Sequence, residues 1–127
     1  MMMNGMAMAA AVTVIAAGCG TGRETFTDPA MPIEMSRGAE FDIALKSNHS
    51  TGYEWVLVDS AALAPLRLVG HGYSVPRANQ DRNGAGGTER WTFTTPEPGH
   101  AVIALVYKRP GESTAAADSA RFRVRVR

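Results

Sequence analysis

The sequence predicts an all-β fold, an antiparallel immunoglobulin-like β-sandwich of about seven strands, and three observations carry that expectation. Runs that alternate apolar and polar residues recur at roughly ten-residue spacing, the pattern of strands with one face buried and one wet. Clusters of Gly, Pro, Asn and Ser separate those runs and mark turns. After residue 18 no stretch keeps a helical period.

The chain has 127 residues. With a targeting segment set aside, that leaves one small domain with one core. A domain of this size buries roughly two-thirds of the surface its unfolded chain exposes, so it needs neither a metal nor a disulfide framework. Cys19 is the single cysteine, which excludes an intrachain disulfide and a thiolate metal cluster. The formal net charge is +1, with basic and acidic residues interspersed, so nucleic acid is not an expected partner.

Taken in order, Met6 to Ile15 is uncharged and rich in Ala, Met and Val. It is too short to span a bilayer as a mature helix and suits the apolar region of a signal peptide. Ile15-Ala16-Ala17-Gly18-Cys19 follows, and this string resembles the lipobox of bacterial lipoprotein signal peptides. The resemblance implies a signal peptide over 1–18, lipidation of Cys19 as the mature N-terminus, and a location in the bacterial cell envelope, on its periplasmic or extracytoplasmic face. Stable anchoring takes more than one acyl chain, which bacterial lipidation supplies. Residues 19–29, with Gly, Thr, Asp and Pro, read as a lipidated tether, and residues 30–127 as the domain.

Within the domain, Ile33 to Met35 is a short first strand, and Glu40 to Lys46 alternates over its whole length. Tyr53 to Val58 is β-branched and aromatic, with Tyr53 and Trp55 on one face and expected in the core. Leu66 to Tyr73 is apolar but broken by Gly70 and Gly72, which suggests a bulge. Ala61 to Ala64 reads as one helical turn before Pro65, and Ser74 to Gly84, without periodicity, as a mobile surface loop. Thr88 to Thr95 alternates around Trp91 and Phe93; Thr95 to His100 is a turn; Ala101 to Tyr107 is a near-continuous apolar run suited to a central strand. Ala115 to Ala117 falls in a hairpin loop. In the last strand, Ala120 to Val126, Arg121, Arg123, Arg125 and Arg127 alternate with apolar residues, as the solvated face of an edge strand does.

Three loop signatures sit between these strands: Asn48-His49-Ser50-Thr51-Gly52-Tyr53, Gly84-Ala85-Gly86-Gly87 and Arg109-Pro110. In a sandwich the loops at strand ends hold the variable chemistry, so three such loops suggest a binding edge. Their order resembles the chagasin family of inhibitors of papain-like cysteine proteases. Members of that family carry an Asn-Pro-Thr-Thr-Gly-Tyr-like loop, a Gly-X-Gly-Gly loop and an Arg-Pro-Trp-like loop in that sequence. Here the matches extend to Asn48–Trp55, Gly84–Glu89 and Tyr107–Pro110.

The resemblance implies a monomeric domain that reversibly blocks a protease cleft with three loops, without a covalent step or a cofactor. Ser50, Thr51 and Gly52 would lie nearest the catalytic cysteine of the protease, where small side chains allow close backbone approach. Asn48, His49 and Tyr53 would complete that first loop. Gly84, Ala85, Gly86 and Gly87 would offer main-chain groups along the cleft, and Arg109 and Pro110 would contact its other side. Two positions depart from the family pattern. His49 replaces a proline, so the loop loses a fixed φ and is expected to lose more entropy on binding. Gly111 replaces an aromatic anchor, a loss on the order of 2 kcal/mol of binding energy.

An enzyme would need a nucleophile and a base, and only Cys19 with His49, His71 or His100 could supply a thiol-imidazole pair. Cys19 lies in the signal segment. The histidines lack the short spacings of zinc ligands, so no metal site is expected and they read as surface or loop residues. The alternative to an inhibitor is an immunoglobulin-like envelope lipoprotein that binds some other protein, which fold alone does not exclude.

Overall fold

Alternation with a period of two decides which side chains of this chain turn inward, and the two inward faces meet as a sandwich. The computed structural model describes residues 23–80, 82, 84–112 and 115–127, so the signal segment and Cys19 lie outside the described residues. Eight strands form: β1 (Glu24–Phe26), β2 (Ile33–Met35), β3 (Glu40–Ser47), β4 (Glu54–Val58), β5 (Arg67–Ser74), β6 (Gly87–Thr94), β7 (Gly99–Lys108) and β8 (Asp118–Val126). They build two four-stranded sheets, in the orders β1-β3-β6-β5 and β2-β8-β7-β4.

Between the sheets lie Phe41, Ile43 and Leu45 of β3, Trp91 and Phe93 of β6, Ile103 and Leu105 of β7, and Phe122, Val124 and Val126 of β8. Phe41 stacks on Phe93 at 5.6 Å between ring centres and meets the edge of Phe26 at 5.8 Å. The expected bulge in β5 falls between Leu68 and Gly70. A short 3₁₀ helix at Ser60–Leu63 precedes Pro65 and buries Leu63. Another, Arg77–Asn79, lies in the segment read from sequence as irregular.

In the placing of its strands the structure differs from the sequence reading at β1 and at β8. Glu24–Phe26, read as tether, is a strand that pairs in parallel with Phe41–Ile43. Asp28 then turns the chain, accepting the Ala30 amide at its side chain and the Met31 amide at its carbonyl, and β2 pairs in parallel with β8 of the other sheet. Short strands that switch sheets in this way leave little alternation to read. The second correction concerns the arginine-bearing strand. β8 lies between β2 and β7, so its arginines form the wet face of an inner strand rather than an edge. β2 covers only the Val124–Val126 end, and Glu34 on it sits 3.1 Å from Arg127 and 3.8 Å from Arg125.

Candidate functional site

Strand direction brings the three signatures together. Ser47 at the end of β3 pairs with Gly87 at the start of β6, Ser74 at the end of β5 pairs with Thr88, Glu54 at the start of β4 pairs with Lys108 at the end of β7, and Tyr107 pairs with Asp118. The β3–β4, β5–β6 and β7–β8 connections therefore gather at one end of the sandwich. The first of them crosses from one sheet to the other. A concavity of about 620 Å³ lies elsewhere, over Pro32, Ala61, Ala64, Val102 and Arg123, and shares none of the signature residues.

The first loop is a single 3₁₀ turn, His49–Thr51, capped at both ends. The Asn48 side chain accepts the Ser50 amide at 3.1 Å, as a capping asparagine does, and Gly52 closes the turn in the left-handed region. The Thr51 hydroxyl donates to the Asn48 carbonyl at 2.6 Å and accepts the Tyr53 amide at 3.3 Å. Ser50, Thr51 and Gly52 are exposed, while Asn48, His49 and Tyr53 are half-buried. Trp55 is core, as its position in β4 predicts, but Tyr53 is not: its ring leans on Tyr107 at 5.4 Å and lies under the Arg109 guanidinium at 4.8 Å.

The second loop is shorter than its four-residue signature. Gly87 already belongs to β6, and the carbonyl of Gly84 accepts the Asn48 side-chain amide at 2.9 Å, which ties the first loop to the second. Gly87 must lack a side chain. A Cβ there would overlap the Ser74 carbonyl and approach the Tyr73 ring at 2.9 Å. Gly84 and Gly86 are exposed and Ala85 half-buried at the tip.

In the third loop Arg109 turns back rather than outward. Its Nε donates to the Thr51 carbonyl at 3.2 Å, and together with the Tyr53 contact this braces the first loop against the third. Pro110 and Gly111 occupy the centre of a turn closed by the Glu112 amide on the Arg109 carbonyl at 3.2 Å. Gly111 has φ +84°, so the pair shows the Pro-Gly pattern of a type II turn.

Beneath the first loop lies a residue the sequence reading did not single out for function. Glu89 has no solvent exposure. Its Oε2 accepts the Ser47 hydroxyl at 2.6 Å, the Trp55 amide at 2.8 Å and His49 Nε2 at 3.0 Å, and its Oε1 accepts His71 Nε2 at 3.1 Å. Burial pushes the carboxyl's pKa up, but the hydrogen bonds from Ser47, Trp55, His49 and His71 outweigh that and hold it below the ordinary range. The signal was present in the strand parity, because Glu89 stands on the same face as Trp91 and Phe93. Of the two histidines that partner this acid, both expected as surface or loop residues, His49 is half-buried and His71 lies exposed on β5. Among the described residues no group of three His, Cys, Asp or Glu side chains is arranged to hold a metal ion.

The sequence profile "Chagasin family peptidase inhibitor I42" matches residues 34–126, from β2 to the end of β8. The chain belongs to the chagasin family of peptidase inhibitors. Members of that family are inhibitors, not enzymes. Among solved structures the chain is similar to amebosin, with 26% identity and a TM-score of 0.68 over 84% of this chain and all of that one. It also resembles in fold the cysteine protease inhibitor EhICP2 from Entamoeba histolytica, at 20% identity, a TM-score of 0.66, and 82% and 94% of the two chains. PbICP-C, solved in complex with falcipain-2, matches at 22% identity with a TM-score of 0.57, covering 84% of this chain and 91% of that one. No relative among curated proteins matches the sequence.

Against the chagasin pattern the two departures now have structural causes. At His49, where the family pattern has a proline, the ring stacks on Tyr73 at 3.7 Å and its Nε2 lies 3.0 Å from Glu89. At Gly111 the left-handed turn leaves no relaxed place for an aromatic L-residue.

Proposed function

We propose that this chagasin-family protein is a reversible inhibitor of papain-like cysteine proteases that blocks the active-site cleft with the three loops at one end of its sandwich. One observation carries the reading: the three family signatures converge and are cross-tied, Asn48 to Gly84 and Arg109 to Thr51, into a single projecting edge. A braced edge loses little conformational freedom on docking, which favours tight binding without a covalent bond. Ser50, Thr51 and Gly52 form the exposed crest and meet the protease's catalytic cysteine. Gly84 to Gly86 lie along the cleft and offer main-chain groups to it, apart from the Gly84 carbonyl already engaged by Asn48. Arg109 acts chiefly as the brace of the crest, and Pro110 shapes the third loop's turn.

Titration of papain and cathepsin-type enzymes with the chain from Gly20 onward tests this. Stoichiometric, reversible loss of activity is expected; full activity at micromolar protein would reject the reading for those targets and favour a lipoprotein with another partner.

The domain acts as a monomer held at the extracytoplasmic face of a bacterial envelope by lipid on Cys19, after removal of residues 1–18, a reading supported by the small residues before that unique cysteine. In a cell fractionation, Cys19→Ala is expected to move the protein out of the membrane fraction. If it stays there, and the wild type carries no acyl mass, the anchor is wrong.

A further inference from the structure

We propose that His49 is a positioning residue: with Glu89 and His71 it forms an internal clamp that sets the shape of the first loop, doing through a side chain what a proline at that place does through a fixed φ. The inference rests on the inhibitor reading and deepens it, because it says what holds the crest in its docking shape.

The geometry converges on one carboxylate. Ser47 is the last residue of β3, Trp55 the second of β4, and His49 the second residue of the loop between them; all three donate to Oε2 of Glu89, at 2.6, 2.8 and 3.0 Å. The loop's two stems and its turn are thus fixed to the same buried atom, supplied by a different strand. A carboxylate held ionised offers no hydrogen, so the Nε2 atoms of His49 and His71 must be the protonated nitrogens of their rings. His71 donates to Oε1, the oxygen the loop leaves free, and stacks flat on Trp91 at 4.5 Å.

Ring packing fixes the His49 side chain further. The imidazole lies on Tyr73 with 12° between the planes, and the Tyr73 hydroxyl stands 3.5 Å from the His49 amide nitrogen. With one face on a ring and one nitrogen on a carboxylate, the side chain has a single rotamer, and the backbone it carries follows. The turn hydrogen bonds it steadies are Thr51 N–H to the Asn48 carbonyl at 3.2 Å and Gly52 N–H to the His49 carbonyl at 3.0 Å. The same loop thereby keeps its order without the proline, and the entropy of ordering is met in the free protein rather than at docking.

Two variants and two readouts test the clamp. His49→Ala removes the donor and the stack, whereas His49→Gln keeps an amide nitrogen near the place of Nε2 that donates to Glu89. In the free protein, hydrogen exchange at the Thr51 and Gly52 amides is expected to quicken on the order of tenfold in His49→Ala and to return most of the way in His49→Gln. The inhibition constant for papain should follow the same order, rising roughly tenfold or more for Ala and less for Gln. Unchanged exchange in the Ala variant, a Gln variant no closer to wild type than Ala, or an inhibition constant that ignores a quickened loop would each overturn the clamp. If the wild type inhibits no papain-like enzyme, the inhibitor reading fails, and the exchange measurement on the free protein still decides whether His49 sets the loop.

Discussion

Gly111 shows how a single backbone angle alters a binding edge. In the chagasin pattern an aromatic stands at this place, yet here φ is +84° and the turn is closed from Arg109 to Glu112. An L-residue in the left-handed region costs roughly 1–2 kcal/mol, so this third loop trades an aromatic anchor for a tight turn. Restoring the aromatic is therefore expected to act on the fold before it acts on a partner. Gly111→Trp should lose about 1–2 kcal/mol in a urea titration through the strained angle, with no offsetting contact, because nothing lies within 4 Å of the Cβ it would add. An unmoved midpoint would mean the turn rearranges at no cost. Arg109 compensates in part at the same scale: turned onto Thr51 and Tyr53, it gives the third loop a role in bracing rather than reaching.

The elements separate what could be read from the chain and what could not. β3, β4, β6 and β7 announce themselves, since alternation or a long apolar run decides which faces are buried, and Phe41, Trp91 and Ile103 fall where that parity puts them. β1 and the inner position of β8 do not. A strand of three residues has too few side chains to show a period, and whether a strand is flanked on one side or two is a property of long-range pairing that its own sequence does not hold. The loop signatures were legible as residues but not as a network. That Asn48 reaches Gly84, that Arg109 turns inward, and that Glu89 lies beneath the crest all depend on contacts between residues 36 to 58 positions apart. Glu89 is the instructive case. Its parity with Trp91 and Phe93 marks an acid on an inward face, which by itself demands partners, and the partners are two histidines that spacing alone cannot bring together.

At the scale of the whole molecule, Asp42 and Glu89, the two buried carboxylates among the described residues, tie distant parts of the chain, and each has its pKa held below the ordinary value, so both are ionised at neutral pH. Asp42 on β3 would be pushed up by burial, but hydrogen bonds from Thr92, Arg23 and Arg90 hold it below its usual value, and through Arg23 it fastens the start of the described chain to the sheet. Glu89 on β6 is held down in the same way and fastens the two sheets to each other under the first loop, through Ser47 of β3 and Trp55 of β4. For each group the folded-state pKa lies below the unfolded one, so the stabilisation is complete above the ordinary carboxylate range, near pH 4, and is lost as pH falls through that range toward the depressed values. Urea midpoints are accordingly expected to be flat from neutrality down to mildly acid pH and to drop below it. Protonating Glu89 also replaces an acceptor by a hydroxyl that faces four donors, so the first loop should loosen in the same window in which the fold weakens. In Glu89→Gln, which starts less stable because a carboxamide cannot accept from every one of those donors, the drop with acid should be shallower than in the wild type. Equal slopes in the two proteins would show that Glu89 carries no share of the acid lability and leave it to Asp42.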